Sequence, residues 1–208
     1  MGGVFMYKYF RNFLICAWIA GLIGLWGLLS DRQALRDGLI RFHVVANSDS
    51  TEDQQIKRKV RDAVLDSIRQ DLEAIADISE ARRYLSENIS SIQQIVSETL
   101  RSNGCPESSN VTFCKERFHA RYYDTFSLPA GVYDSLRIII GEGKGKNWWC
   151  VSFPSLCLPA TSAGFEETAA MAGFSNNLIR TLSGSEPCSI RFFVLDRLGE
   201  LENMFCPG

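Results

Sequence analysis

The chain has 208 residues, of which 46% are hydrophobic and 22% charged, and this size allows one domain with a core plus an N-terminal appendage. Its net charge of -2 argues against dominant nucleic-acid binding, because a phosphate backbone attracts a clearly positive protein surface. Two histidines leave little for a histidine-rich metal site, and the compartment of the protein decides what the seven cysteines do.

The first thirty residues have the pattern of a membrane-spanning or signal segment. Lys8 and Arg11 precede residues 12–30, which carry no charge and which, at ~1.5 Å per residue, cover roughly 28 Å, close to the thickness of a bilayer core. These positive charges favour a cytoplasmic N-terminus and a translocated remainder. A signal-peptide cleavage site needs small residues at its -3 and -1 positions, and this sequence matches that requirement poorly. An uncleaved anchor is therefore favoured, with a cleaved signal peptide as the alternative. In either case residues 1–30 are the leader, and residues 31–208 are predicted to form a single extracytoplasmic domain.

Residues 39–46 are the first predicted strand. Their apolar side chains share one face, and Arg41 and His43 share the other. The run Asn47 to Ser50 follows, whose side chains are typical of turns and of helix N-termini. Together with Asp53, the last residue of this run resembles a capping box and predicts that a helix begins there.

Two amphipathic helices with a short connection follow this strand. Apolar residues recur at helical spacing from Ile56 to Ile75 and again from Ala81 to Leu100. Asp77 and Glu80 form a second capping box at the start of the later helix. The two helices are predicted to form an antiparallel hairpin that lies over a sheet.

The second half of the chain is dominated by strand patterns. Strands are predicted at 111–114, 118–123, 133–140 and 147–153, followed by a helix at 166–182 and a last strand at 189–195. Three glycines between 141 and 145 allow a tight reversal, so the strands before and after them are predicted to pair as an antiparallel hairpin with a lysine-tipped turn. The element order predicts an α+β fold with a mostly antiparallel sheet, covered by the helical hairpin and a C-terminal helix and preceded by the N-terminal apolar helix.

Trp148 and Trp149 are adjacent on one predicted strand and therefore point to opposite faces of the sheet. One of them is expected to enter the core. The other needs a second cover, either from this chain or from a partner, and exposed aromatic side chains often dominate the energetics of an interface.

Catalytic and phosphate-binding patterns are weak. His43 with Ser48 and Asp49 has the residue types of a hydrolytic triad, but no nucleophile-elbow motif accompanies them and no local pattern builds an oxyanion hole. The glycine-rich run 141–146 lacks the Gly-Lys-Ser/Thr ending of a phosphate loop, and it precedes a strand rather than a helix. We therefore predict no catalytic residue and no cofactor.

Cys150 and Cys157 are seven residues apart with Pro154 between them. Further ligands at suitable spacing are absent, so no metal site is predicted. Outside the cytoplasm such a pair is expected to form a disulfide that closes a small loop, and free thiols are the alternative.

Five stretches carry a family resemblance: Leu39–Ser50, Lys59–Val64, Leu128–Gly131, Leu136–Val151 and Phe153–Pro154. They resemble the stage II sporulation protein R family of endospore-forming Gram-positive bacteria. The resemblance implies a signalling protein rather than an enzyme, made in the forespore and exported to the space between the forespore and mother-cell membranes. There it would activate a membrane-embedded aspartic protease of the mother cell, which removes the inhibitory leader of the sigma-E precursor.

The contact with that protease is predicted from residues that the resemblance covers and that the core pattern does not require. They are the tryptophan pair and five polar residues: Trp148, Trp149, His43, Asn47, Asp49, Lys144 and Lys146. The alternative function is an extracytoplasmic hydrolase that acts on cell-wall polymer. The sequence leaves the oligomeric state open.

Overall fold

The computed structural model describes residues 2–75, 77–123, 126–153, 165–171, 173–183 and 190–205. The helices are α1 (Gly2–Gly38), α2 (Thr51–Ala74), α3 (Ile78–Glu87), α4 (Ile89–Ser102), α5 (Phe165–Met171), α6 (Asn176–Leu182) and α7 (Ile190–Phe205). The strands are β1 (Ile40–Val45), β2 (Ser109–Phe118), β3 (Arg121–Tyr122), β4 (Ser127–Leu128), β5 (Gly131–Ile140) and β6 (Asn147–Phe153). The α+β fold class is confirmed.

Helix α1 is the one helix in the described part of the chain that is long and apolar enough to cross a membrane. It is exposed on all sides along residues 8–26, and from Gly27 onward one side of it is covered by the rest of the protein. Leu35, near its C-terminal end, is buried in the core of the domain. The helix therefore does not end at residue 30, and its last two turns belong to the domain.

The main sheet has four strands in the order β2-β5-β1-β6. β1 is parallel to β5 and antiparallel to β6, whereas β2 and β5 are antiparallel. The sheet is therefore mixed, with antiparallel pairing in two of its three strand pairs. A separate short ribbon joins β3 and β4.

The predicted hairpin between the strands on either side of the glycine run is wrong, because β1 lies between β5 and β6. The connecting residues 141–146, which we call the glycine loop, cross the end of β1. The backbone amides of Lys144 and Gly145 donate to the carbonyls of Asn47 and Ala46 at 3.0 and 2.9 Å. Two strand spacings amount to roughly 10 Å, which six residues span easily. A glycine turn does not reveal whether the strands that it joins are direct neighbours.

One face of the sheet is covered by α2, α3 and α4, as the apolar stripes predict. Their buried stripes pack with strand residues into one core, which contains Val60, Val64, Ile68, Leu72, Ala81, Leu85, Ile92, Val96 and Leu100. The Ser50 hydroxyl accepts from the Asp53 amide at 3.1 Å at the start of α2, and the Asp77 carboxylate caps α3. The later predicted helix is divided at Asn88 into α3 and α4.

The opposite face is covered by the C-terminal end of α1 and by α5, α6 and α7, which form a second core. The predicted helix at 166–182 is two helices, α5 and α6, and Gly173 between them has a φ of 81°. The predicted strand at 189–195 is wrong, since residues 190–205 are helix α7. A short apolar run does not distinguish a strand from a helix, whereas the buried residues of α7, Leu195, Gly199 and Asn203, recur every four positions.

Candidate functional site

Trp149 lies on edge strand β6, opposite His43 of β1. The two rings are stacked, with centroids 4.7 Å apart and an interplanar angle of 5°. The Phe118 ring meets Trp149 edge-on at 5.3 Å, and the Arg121 guanidinium lies over the indole at 4.4 Å from its centroid. Trp149 remains half-buried. An indole between an imidazole and a guanidinium is stabilised by stacking and by cation–π attraction.

His43 is buried, with 5% of its surface exposed. The polar face of the strand pattern indicates a solvated position for it, and that indication is wrong. The Asn147 amide donates to its Nδ1 at 2.8 Å, so Nε2 carries the proton and donates to the Glu116 carboxylate at 2.8 Å. Both ring nitrogens are therefore used in structural hydrogen bonds. Ser48, whose residue type would fit a hydrolytic triad, donates its hydroxyl to Asp53 and not to His43.

Glu116 connects this histidine to an arginine. The Arg137 guanidinium donates to its other carboxylate oxygen at 2.6 Å. Burial raises the pKa of Glu116, but the hydrogen bond from His43 and the charge of Arg137 lower it by more, so its pKa lies below the usual value. We call Trp149, His43, Arg121, Asn147 and Glu116 the Trp149 cluster.

Arg41, two residues before His43 on the same face, is fully buried. Its guanidinium donates to the Tyr123 hydroxyl at 3.1 Å and stacks over the rings of Phe118 and Tyr133 at 4.4 and 5.4 Å. Its Nε and Nη1 have no hydrogen-bond partner among the described residues. Aromatic faces thus replace carboxylates as the main neighbours of this buried cation, which the alternating strand pattern placed on a polar outer surface.

Trp148 points to the opposite face from Trp149, as predicted. It meets Phe42 edge-on at 5.7 Å between ring centroids, and the Arg61 guanidinium lies 5.0 Å from the centroid of the Trp148 ring. Like Trp149 it is half-buried, and it packs at the margin of the first core. One tryptophan was expected to enter the core, and Trp148 packs at its margin while both tryptophans stay half-buried.

Asn47 and Asp49 hold the glycine loop in place. The Asn47 side-chain oxygen accepts from the Glu142 amide at 2.9 Å, and the Asp49 carboxylate accepts from the Lys146 amide at 2.6 Å. A Cβ added at Gly145 would lie 2.2 Å from the Ser48 carbonyl oxygen, so only glycine permits this approach. The two polar residues that the sequence offered as partner contacts thus have structural roles.

The glycine loop is also held in place by a buried lysine. Lys57 of α2 donates to the Lys146 carbonyl at 2.8 Å and to the Gln54 side chain at 2.6 Å. Burial lowers the pKa of Lys57, and the hydrogen bond from Ser48 lowers that of Asp53. The side chains of Lys144 and Lys146, by contrast, are exposed, and Lys144 pairs with the equally exposed Glu142 at 2.7 Å.

The structure brings the predicted residues into two adjoining places, the Trp149 cluster and the glycine loop, with Trp148 on the far face. Asn147 joins the two places, because it follows the loop directly and donates to His43. Sequence patterns missed Asn147, Arg121 and Glu116, whose roles depend on strand register. Cys150 is buried, and Cys157 lies outside the described residues, so their disulfide stays a prediction.

No group of His, Cys, Asp and Glu side chains that could hold a metal ion occurs within the described ranges. Cys105 and Cys114 are both free thiols. The groups that the described site presents are a half-buried indole and two exposed lysines, which are side chains suited to recognition.

Comparison with known proteins points to one family. The family model of stage II sporulation protein R matches residues 36–163, a range that includes the Trp149 cluster and the glycine loop. Stage II sporulation protein R of Bacillus subtilis (strain 168) is 38% identical over 165 residues, which cover 74% of this chain and 74% of that protein. No solved structure matches the chain.

Proposed function

The chain belongs to the stage II sporulation protein R family, and from this membership we propose that it is an exported sporulation signal. It is made in the forespore and acts in the space between the forespore and mother-cell membranes. There it activates a membrane-embedded aspartic protease of the mother cell, which processes the sigma-E precursor. The observation that carries this proposal is the family match over residues 36–163, which spans the sheet and both parts of the candidate site.

The N-terminal helix supports the exported location. α1 is apolar and exposed along residues 12–26, and Lys8 and Arg11 precede this segment, as expected when the N-terminus stays in the cytoplasm. We propose that α1 is an uncleaved anchor. The domain would then stand on the extracytoplasmic side, within reach of the protease in the opposite membrane.

The Trp149 cluster and the glycine loop are the proposed contact surface. Trp149 is half-buried on an edge strand, and its indole contacts the His43 ring and the Arg121 guanidinium. Rigid aromatic and arginine side chains are the usual energetic centres of an interface. Lys144 and Lys146, at the adjoining loop, supply exposed positive charge that complements an acidic partner surface.

The test is reconstitution of precursor cleavage in a bacterium that does not sporulate, with the chain, the protease and the sigma-E precursor expressed together. The double variant Lys144→Glu/Lys146→Glu should abolish most cleavage while the domain keeps its melting temperature. The matched control is Arg58→Glu/Lys59→Glu, which reverses two exposed charges on α2.

Cleavage that proceeds equally well without the chain would contradict the proposed function. Full activity of the loop variant would remove the glycine loop from the contact surface. Release of soluble fragments from purified cell wall by the chain alone, and its loss on replacement of His43, would instead support the envelope hydrolase.

A further inference from the structure

The domain touches α1 at the level where its apolar segment ends. Residues 12–30 carry no charge, and Asp31 and Arg32 are the first charged residues after them. A segment of this length matches the hydrocarbon core of a bilayer, so residues 27–31 lie at its outer boundary when α1 spans the membrane. Gly27 is also the first residue of α1 that the domain covers.

Helix α7 reaches this boundary with its first turn. Arg191 donates from Nε to the Asp31 carboxylate at 2.7 Å and from Nη2 to the Gly27 carbonyl at 3.5 Å. The guanidinium of Arg191 therefore lies beside the last apolar turn of α1. Ile190, the first residue of α7, is at the same level.

The two helices also meet at a second level. Eleven residues further along α7, Glu202 pairs with Arg32 at 2.7 Å and with Arg36 at 3.8 Å. Contacts with α7 therefore extend along α1 from Gly27 to Arg36, so α7 lies against the end of α1 that follows the apolar segment.

The outer side of the first two turns of α7 is apolar. Ile190 and Phe193 are 80% and 58% exposed, and Arg197, one turn further, lies over the Phe193 ring at 5.2 Å. Large apolar side chains so exposed favour a nonpolar environment, and aromatic residues beside arginines are typical of the boundary between headgroups and acyl chains.

We propose that the first two turns of α7 rest in the outer headgroup layer of the membrane that α1 spans, with Ile190 and Phe193 in contact with acyl chains. This inference rests on the proposed uncleaved anchor. The occupant of the apolar surface is phospholipid, because the Arg191–Asp31 pair and the Arg191–Gly27 contact hold α7 against the last apolar turn of α1. Arg191 and Arg197 then lie near lipid phosphates. Two contacts with the membrane, α1 and α7, give the domain one orientation toward its partner.

Photocrosslinking tests the proposal. The full chain carries p-benzoyl-phenylalanine at one position and is reconstituted into vesicles of phosphatidylethanolamine and phosphatidylglycerol. Leu22, exposed in the middle of the apolar segment, is the positive control, and Arg101, exposed at the end of α4, is the negative control. Irradiated protein is analysed by mass spectrometry for covalent lipid adducts, and its melting temperature is measured beforehand.

We expect lipid adducts at positions 22, 190 and 193, and at least tenfold less at position 101. Adducts at position 22 but not at 190 or 193 overturn the α7 inference and leave the anchor intact. Crosslinks from 190 or 193 to a second copy of the chain, without lipid, also overturn it, since protein then covers the surface. Absence of adducts at position 22 refutes the anchor itself, and the α7 inference with it. Position 190 stands at a helix end, so it remains informative if the substitution at 193 lowers stability.

Discussion

The contact between α7 and the start of β5 depends on one glycine. A Cβ added at Gly199 would lie 1.7 Å from the carbonyl oxygen of Ala130 and 2.3 Å from its carbonyl carbon. A carbon and a carbonyl oxygen need roughly 3.3 Å between them, so the substitution Gly199→Ala must push α7 away from the sheet by more than 1 Å or so. Because the obstacle is backbone, it cannot rotate aside.

The displacement weakens a buried hydrogen bond from the Asn203 amide to the Phe118 carbonyl at 2.9 Å and a partly buried one from the Ala130 amide to the Asp196 carboxylate at 3.0 Å. Overpacking costs roughly 1–3 kcal/mol and each weakened hydrogen bond about 1 kcal/mol, while alanine favours the helix by up to about 1 kcal/mol. The expected net loss is about 3 kcal/mol of unfolding free energy, or a fall of roughly 6–12 °C in melting temperature for a domain of this size.

Thermal unfolding of the full chain in nanodiscs measures this effect. The matched control is Gly21→Ala, another helical glycine whose added Cβ meets nothing within 4 Å, and its melting temperature should change by no more than about 2 °C. An unchanged melting temperature for Gly199→Ala would mean that α7 does not dock on β5 as described. If residues 189–195 formed the last strand, as expected from sequence, residue 199 would lie beyond it and would tolerate the alanine.

Three further predictions concern the candidate site. Because the pKa of Glu116 is lowered from 4.5 in the folded state, its ionised form stabilises the fold above pH 4.5, and this contribution is lost as the pH falls through the lowered pKa. Glu116→Gln should therefore melt lower than the parent at pH 7, and the difference should shrink as the pH is lowered below 4.5. Trp148→Ala and Trp149→Ala should each cost about 1–3 kcal/mol, less than a fully buried tryptophan, but at equal folded fraction only the latter should lose precursor cleavage, and equal cleavage by both would make the pair structural. Gly145→Ala should lower the melting temperature by several degrees through its contact with the Ser48 carbonyl, as in other overpacked sites, and differential scanning calorimetry that shows no shift would contradict the description of the loop.

Local periodicity accounts for the part of the fold that the sequence predicts correctly. The stripes of α2 and α4, the Ser50 and Asp77 caps and the opposite directions of the two tryptophans all depend on residues within a few positions of each other. Strand order does not depend on residues close together in the sequence. The insertion of β1 between β5 and β6 joins segments about a hundred residues apart, and no local pattern encodes it.

The residues of the candidate site also fall into those that local patterns predict and those that depend on strand order. His43 and Trp149 can be named from sequence, because each is an unusual residue on a predicted strand. Glu116 and Asn147 enter only through register and strand order, since they reach His43 from β2 and β6. Arg41 illustrates the opposite error. A charged residue that alternates with apolar residues on a strand indicates a solvent-exposed side chain, whereas the Arg41 guanidinium packs on Phe118 and other aromatic rings.

The central position of β1 connects the stability of the domain with its proposed contact surface. The stack of His43 on Trp149 exists because β1 and β6 are neighbours, and the glycine loop exists because the chain must cross the end of β1 to form β6. Asn47 serves this crossing, so its replacement is expected to disturb the loop and, through Asn147, the imidazole as well. A loss of signalling there would not identify an interface. The Lys144 side chain has no such structural role beyond its exposed pair with Glu142, and only at side chains of this kind would lost precursor cleavage with preserved stability support the proposed contact surface.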